Sequence, residues 1–231
     1  MKITPAIIAL CATLLAPAGF AADPFEGKIT LNLSTGQGRP QILDLAMKGQ
    51  LQRVDMVVGE GQTVGSIIDL AKREVTVLMP QQQMFMVMPI KEAADAAQKQ
   101  TQEGKLEKTG QTEKIVGYLC QLFTLKANGK TTELWLADGL GSFAGLGGGN
   151  PMGGKPPPKS AWEQALAGVA GFPLRVVEKD AGGKETFRLE ATKVDKSAQP
   201  DSLFAPPAGY QKFDMGTMMQ GLPGGMNPFK R

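Results

Sequence analysis

The run Met84-Phe85-Met86-Val87-Met88 is the most unusual chemistry in the chain, because every second residue in it is a thioether. If the run is a strand, alternation places Met84, Met86 and Met88 on one face at successive steps of about 7 Å. Thioethers are soft ligands, and such a face is one way to hold Cu(I). The plainer reading is an apolar surface, since methionine is flexible and polarisable and fills irregular space well. The apolar reading is the one adopted, with Met84, Met86 and Met88 as metal ligands kept as the alternative.

The other reactive types point away from catalysis. The sequence contains no histidine, which excludes Ser-His-Asp and Cys-His catalysis and every histidine-ligated metal site. Cys120 sits in Val116-Gly117-Tyr118-Leu119-Cys120-Gln121 with no clustered base to activate it. A buried, inert thiol is expected there. Gly139-x-Gly141-x-x-Ala144 has the spacing of a dinucleotide loop, but Gly147-Gly148-Gly149-Asn150-Pro151 follows where a helix would have to open. Ser142 lies between Gly141 and Phe143, so the G-x-S-x-G elbow is absent. The carboxylates are scattered singly among lysines, and none forms a recognisable metal loop. No enzyme, no cofactor and no catalytic residue are therefore expected.

The elements that must position these residues are mainly strands. Ile29, Leu31 and Leu33 alternate with Lys28, Thr30 and Asn32, and Leu43, Leu45 and Met47 follow the same rule. So do Val54, Met56 and Val58, and later Phe187, Leu189 and Ala191. Period two means one buried and one wet face, which is an antiparallel sheet. Glycine-containing breaks separate the runs, and Asn128-Gly129 is a strong two-residue hairpin signal. Two segments read as helices. One covers Lys91 to about Gln102, after Pro89. The other opens on Ser160 with Glu163 three residues on, a capping box. Trp162, Ala165, Leu166 and Val169 then form one apolar face, which Gly171 and Pro173 terminate. A helix of this kind is expected to lie on the apolar face of the sheet, which makes Trp162 and Leu166 candidate ligand-binding residues beside Met84, Met86 and Met88.

The N-terminus reads as an export signal. Met1-Lys2 is a short basic start, an apolar run follows to about Leu15, and Pro17, Gly19, Ala21 and Ala22 close it. The run is shorter than the roughly 20 residues a bilayer span needs. Cleavage is expected after Ala21, with Ala22 the second choice, giving a signal peptide over 1–22 and a periplasmic protein. Cys11 follows Leu10 in the middle of the apolar run, so it is read as leaving with the signal rather than carrying a lipid. A single domain is expected over 23–213, with a Gly/Pro-rich insert at about 145–159 and a Met/Gly-rich tail over 214–231. The remaining chain has one cysteine and hence no internal disulfide. It has no transmembrane run and no Lys/Arg cluster of the kind that marks nucleic-acid binding.

An ordered set of short motifs runs through this framework. Phe25-Glu26-Gly27 opens the first strand, and Glu113-Lys114-Ile115-Val116-Gly117-Tyr118-x-Cys120 follows Gly110. Glu133-Leu134-Trp135-Leu136-Ala137 comes after the hairpin, and Ser202-Leu203-Phe204-x-x-Pro207-x-Gly209-Tyr210 closes the domain. The set resembles the exported family of domain of unknown function 4412, itself similar to the half-barrel fold of the outer-membrane lipoprotein carriers. The resemblance implies a mainly β, α+β fold: a curved antiparallel half barrel of roughly eleven strands with short helices covering its concave face. It carries no established activity and no site residues. The function expected is non-catalytic binding of an apolar or acyl-chain ligand, a lipid or lipoprotein, on the concave face. The alternatives are an interaction module for another envelope protein without a small ligand, and methionine-based soft-metal binding or oxidant buffering.

Overall fold

The computed structural model describes residues 25–36, 39–58, 62–90, 104–146, 160–166 and 169–213. The signal peptide expected over 1–22, the helix expected from Lys91, the Gly/Pro insert beyond its first two residues and the tail expected over 214–231 lie outside these residues.

Twelve strands form one curved, unclosed, mixed sheet. They are β1 (Glu26–Thr35), β2 (Gln41–Lys48), β3 (Leu51–Val58), β4 (Gln62–Asp69), β5 (Glu74–Met79) and β6 (Met84–Pro89). Then come β7 (Leu106–Ile115), β8 (Tyr118–Ala127), β9 (Lys130–Ala137), β10 (Phe172–Lys179), β11 (Glu185–Lys196) and β12 (Gln211–Lys212). The order across the sheet is β12-β6-β5-β4-β3-β2-β1-β11-β10-β9-β8-β7. Two meanders, β1 to β6 and β7 to β11, therefore meet where β1 pairs with β11, Ile29 facing Val194. Every pairing is antiparallel except that of β12, which runs parallel to β6 with Gln211 opposite Met84. The expected antiparallel half barrel is thus present, with one short parallel strand added at its edge.

The alternation read from the sequence is the alternation of burial. Ile29, Leu31, Leu43, Leu45, Met47 and Val54 are buried on one face, here called inner. They join Leu134, Leu174, Val176 and Leu189 in one core. Asn128-Gly129 forms the β8–β9 turn, with both residues at positive φ and Ala127 paired to Lys130, as a type I′ hairpin requires. The β7–β8 turn has the same form at Val116 (φ 42°) and Gly117 (φ 93°), with Ile115 paired to Tyr118. Turn geometry overrides the β preference of valine here.

One helix, α1 (Ala161–Ala165), lies on the inner face. Its capping box is complete: the Glu163 amide donates to the Ser160 hydroxyl, and the Ser160 amide to the Glu163 carboxylate. It ends earlier than expected. Leu166 is its C-cap, and Pro173 belongs to β10 rather than to a helix stop. Phe172 opens β10 opposite Ala137, and that strand pairing takes up the chain.

Candidate functional site

The inner face of β3 to β6 is built from three rows of paired residues. Val54, Ser66, Val77 and Met86 make one row, and Gln52, Ile68, Val75 and Met88 a second. Met56 pairs with Val64, and Met79 pairs with Met84, completing a third. Across these rows no side chain is charged, and Gln52 and Ser66 are the polar ones. Val77 is buried, and Met79 and Met86 are 9% and 8% exposed. Met56, Val64, Val75, Met84 and Met88 are half-buried. The face is thus closed along the row Val54, Ser66, Val77 and Met86 and partly open in the rows on either side of it.

Alternation does put Met84, Met86 and Met88 on one face, as expected. Their spacing along a single strand separates Met84 from Met88 by about 13 Å, too far for both to ligate one ion. Met79, opposite Met84 across the hairpin Pro80–Gln83, is the thioether that sequence spacing did not bring to the set.

Trp162 and Leu166 share this inner face but not this neighbourhood. Trp162 is 2% exposed and lies against Phe143 and Phe187, ring centroids 5.6 and 5.9 Å apart. Phe187 is on β11, six places from β6 in the sheet, about 29 Å measured along it. Phe143 also meets Phe172 edge-on at 5.5 Å. Trp162 and Leu166 therefore plug the core at β9 to β2 and are not brought together with the methionines.

The loop 138–146 completes that plug. Gln52, buried on the inner face, ties it down: its amide nitrogen donates to the Ser142 carbonyl and its oxygen accepts from the Ala144 amide at 3.2 Å. Glu163 adds a second tie, accepting from the Leu146 amide at 3.2 Å. Sequence reasoning does not find Gln52. Its signal was a polar residue at an inward position, two before Val54 in an otherwise apolar alternation. Gly139 and Gly141 belong to this loop, and among the described residues the chain reaches Leu146 without regular structure.

The outer face is crossed by the segment from Ser197 to Phe213. Lys48 donates to the Gln199 carbonyl at 3.0 Å and to Asp201 at 2.6 Å. Arg53 donates to the Leu203 carbonyl at 3.0 Å and holds Asp55 with Nε and Nη2. The Asp201 carboxylate raises the Lys48 pKa, with Glu26 adding to it. The segment ends at the sheet edge, where the Gln211 and Phe213 amides donate to the Gln83 and Phe85 carbonyls. Shallow grooves open on this face. One of about 260 Å³ is lined by Asp44, Arg53, Asp55 and Leu203 among others. The other, of about 200 Å³, lies between Asn32 and Arg188. Several of their polar groups are engaged, Thr30 donating to Asp44 and Arg188 to Glu185 and Glu190.

Cys120 is fully buried and free, and burial pushes its thiol up from 9.0. On the outer face Arg175 bridges Glu113 and Glu190 at 2.9 and 2.8 Å. Among the described residues no cluster of His, Cys, Asp or Glu could hold a metal, and no helix is long and apolar enough to cross a membrane.

The family described as Domain of unknown function (DUF4412) matches residues 25–210. No protein of curated function matches the sequence. Among solved structures, an uncharacterized conserved protein from Thermus thermophilus is similar at TM-score 0.49 and 12% identity, over 82% of this chain and 90% of that one. PNGF-II is similar at TM-score 0.50 and 20% identity, over 85% of this chain but only 32% of its own. A LolA superfamily protein from Nitrosomonas europaea shares 13% identity at TM-score 0.33, over 80% and 91% of the two chains. The likeness to PNGF-II is one of fold alone.

Proposed function

We propose that this chain, which belongs to the DUF4412 family, is a periplasmic, non-catalytic binding protein that holds an apolar acyl chain against the inner face of β3 to β6. One observation carries the reading: an uncharged apolar face that is closed at Val77 and left half-exposed at Met56, Val64, Val75, Met84 and Met88. Binding pockets are mostly apolar with few polar groups, and methionine adapts to chains of varied shape. Export is supported by the arrangement of Met1 to Ala22, and the absence of catalysis by the absence of histidine, the usual acid–base residue.

The test is native mass spectrometry of the protein taken from its own periplasm, followed by extraction and lipid analysis. A stoichiometric acyl-bearing adduct is expected, on a chain beginning at Ala22 or Asp23. Replacing half-buried Met88 by lysine should reduce retention of the adduct while leaving the fold intact. A bare mass, together with no binding of a fluorescent fatty acid, overturns the reading.

A further inference from the structure

We propose that Met79, Met84 and Met86 form a thioether site for a soft monovalent cation, Cu(I) in a cell. Met79 and Met84 are the closing pair of the β5–β6 hairpin, directly opposite each other on the inner face. Paired side chains of this kind have Cβ atoms about 5 Å apart. Met86 is the next residue of β6 on the same face, about 7 Å along the strand and diagonal to Met79. Three long, unbranched side chains at these separations can converge on one ion, which Met84, Met86 and Met88 cannot. The surroundings fit a soft cation and reject hard ones. Met79 and Met86 are nearly buried, Met84 is half-buried and supplies a path in, and Val77 and Val64 flank the group. No lysine or arginine of β3 to β6 shares this face to repel a cation, and no carboxylate shares it to favour Mg²⁺, Ca²⁺ or Zn²⁺. Thioethers select Cu(I) among biological ions. The site does not depend on the acyl-chain reading.

Silver(I), which is redox-inert and equally soft, is the probe. The full chain is labelled at the methionine methyl carbons and titrated with silver nitrate in chloride-free buffer, each signal being assigned by Met→Leu replacement. The methyls of Met79, Met84 and Met86 should shift together and saturate at one equivalent, while those of Met47 and Met88 stay in place. Met84→Leu preserves side-chain volume and should weaken silver binding at the remaining pair at least tenfold, with an unchanged melting temperature. Absence of any shift in the three, or shifts confined to Met215, Met218, Met219 and Met226, overturns the proposal. Because site-resolved methyl signals are read, silver taken up by Cys120 does not enter the result. The titration is run on protein stripped of any extractable lipid, so that no acyl chain covers Met84.

Discussion

Arg53 and Leu203 stand 150 positions apart in the chain, yet Nη1 of one donates to the backbone carbonyl of the other at 3.0 Å. The same guanidinium grips Asp55 through Nε and Nη2 at 2.8 and 3.1 Å. Arg53 is thus the clamp that holds the segment from Ser197 to Phe213 across the outer face.

Replacing Arg53 by methionine should loosen that segment. Hydrogen bonds to charged groups contribute about 1.5–3 kcal/mol, and Arg53 is partly solvated, so a loss near about 1 kcal/mol in urea unfolding is expected. The sharper readout is amide exchange: Gln211 and Phe213, which bond the β6 edge, should exchange faster than the amides of β2. Unaltered exchange at both would show that the edge pairing holds the segment without Arg53.

Val116→Asn should stabilise the protein. A β-branched residue at φ 42° is strained, and asparagine before Gly117 is the preferred type I′ pair. A gain of about 1 kcal/mol corresponds to a rise of roughly 2–4 °C in melting temperature for a chain of this size. An unchanged or lower melting temperature would mean that the half-exposed valine packs against something that offsets its strain.

Gln52→Leu should release the loop 138–146 from the inner face. It leaves the Ser142 carbonyl and the Ala144 amide without their partner, each at a cost of about 1–3 kcal/mol where buried. Trp162 would then meet water. In a Trp135→Phe background, its emission should move to longer wavelength before global unfolding. Emission that stays fixed would place the hold on the loop in Phe143 and Leu140 instead.

Two groups contribute to the pH dependence with opposite signs. Burial raises the Cys120 thiol above its ordinary 9.0, so its contribution is complete below pH 9.0 and is lost as pH rises through the higher folded value. Glu185 is held below 4.5, chiefly by a hydrogen bond from Arg188. Its contribution is complete above pH 4.5 and is lost as pH falls through the lower folded value. Melting curves from pH 8 to 10.5 should therefore drop more steeply for the natural protein than for Cys120→Ala. At pH 8 iodoacetamide should label Cys120 only in denaturant.

The strands were legible because their alternation is the alternation of burial: Leu43, Leu45 and Met47 face inward, and Asp44 and Lys48 do not. The start of α1 was legible in Ser160 and Glu163, whose bonds are local. Its end was not, because the apolar spacing continues through Val169 while the pull of Phe172 into the sheet comes from Ala137 on another strand. β12 carries no pattern at all. Two residues cannot alternate, and its place is set by β6 and by Arg53 and Lys48. In the candidate site, the common face of Met84, Met86 and Met88 could be read along one strand. The nearness of Met79 and the remoteness of Trp162 could not, since both depend on which strands are neighbours.

The pairing of β1 with β11 has a consequence for how the protein comes into being. The β2–β6 and β7–β9 runs each grow by short loops, but β1 finds its second partner only in β11 (Glu185–Lys196), far along the chain. Closing so long a loop is entropically expensive, and pairings of this range set a slow folding rate. The central core, in which Ile29, Leu31 and Leu45 meet Leu174, Val176 and Leu189, therefore cannot assemble until the chain has emerged as far as Lys196. Until β11 has emerged, β1 has one partner in place of two, and the nascent chain is open to being handled as an extended polymer.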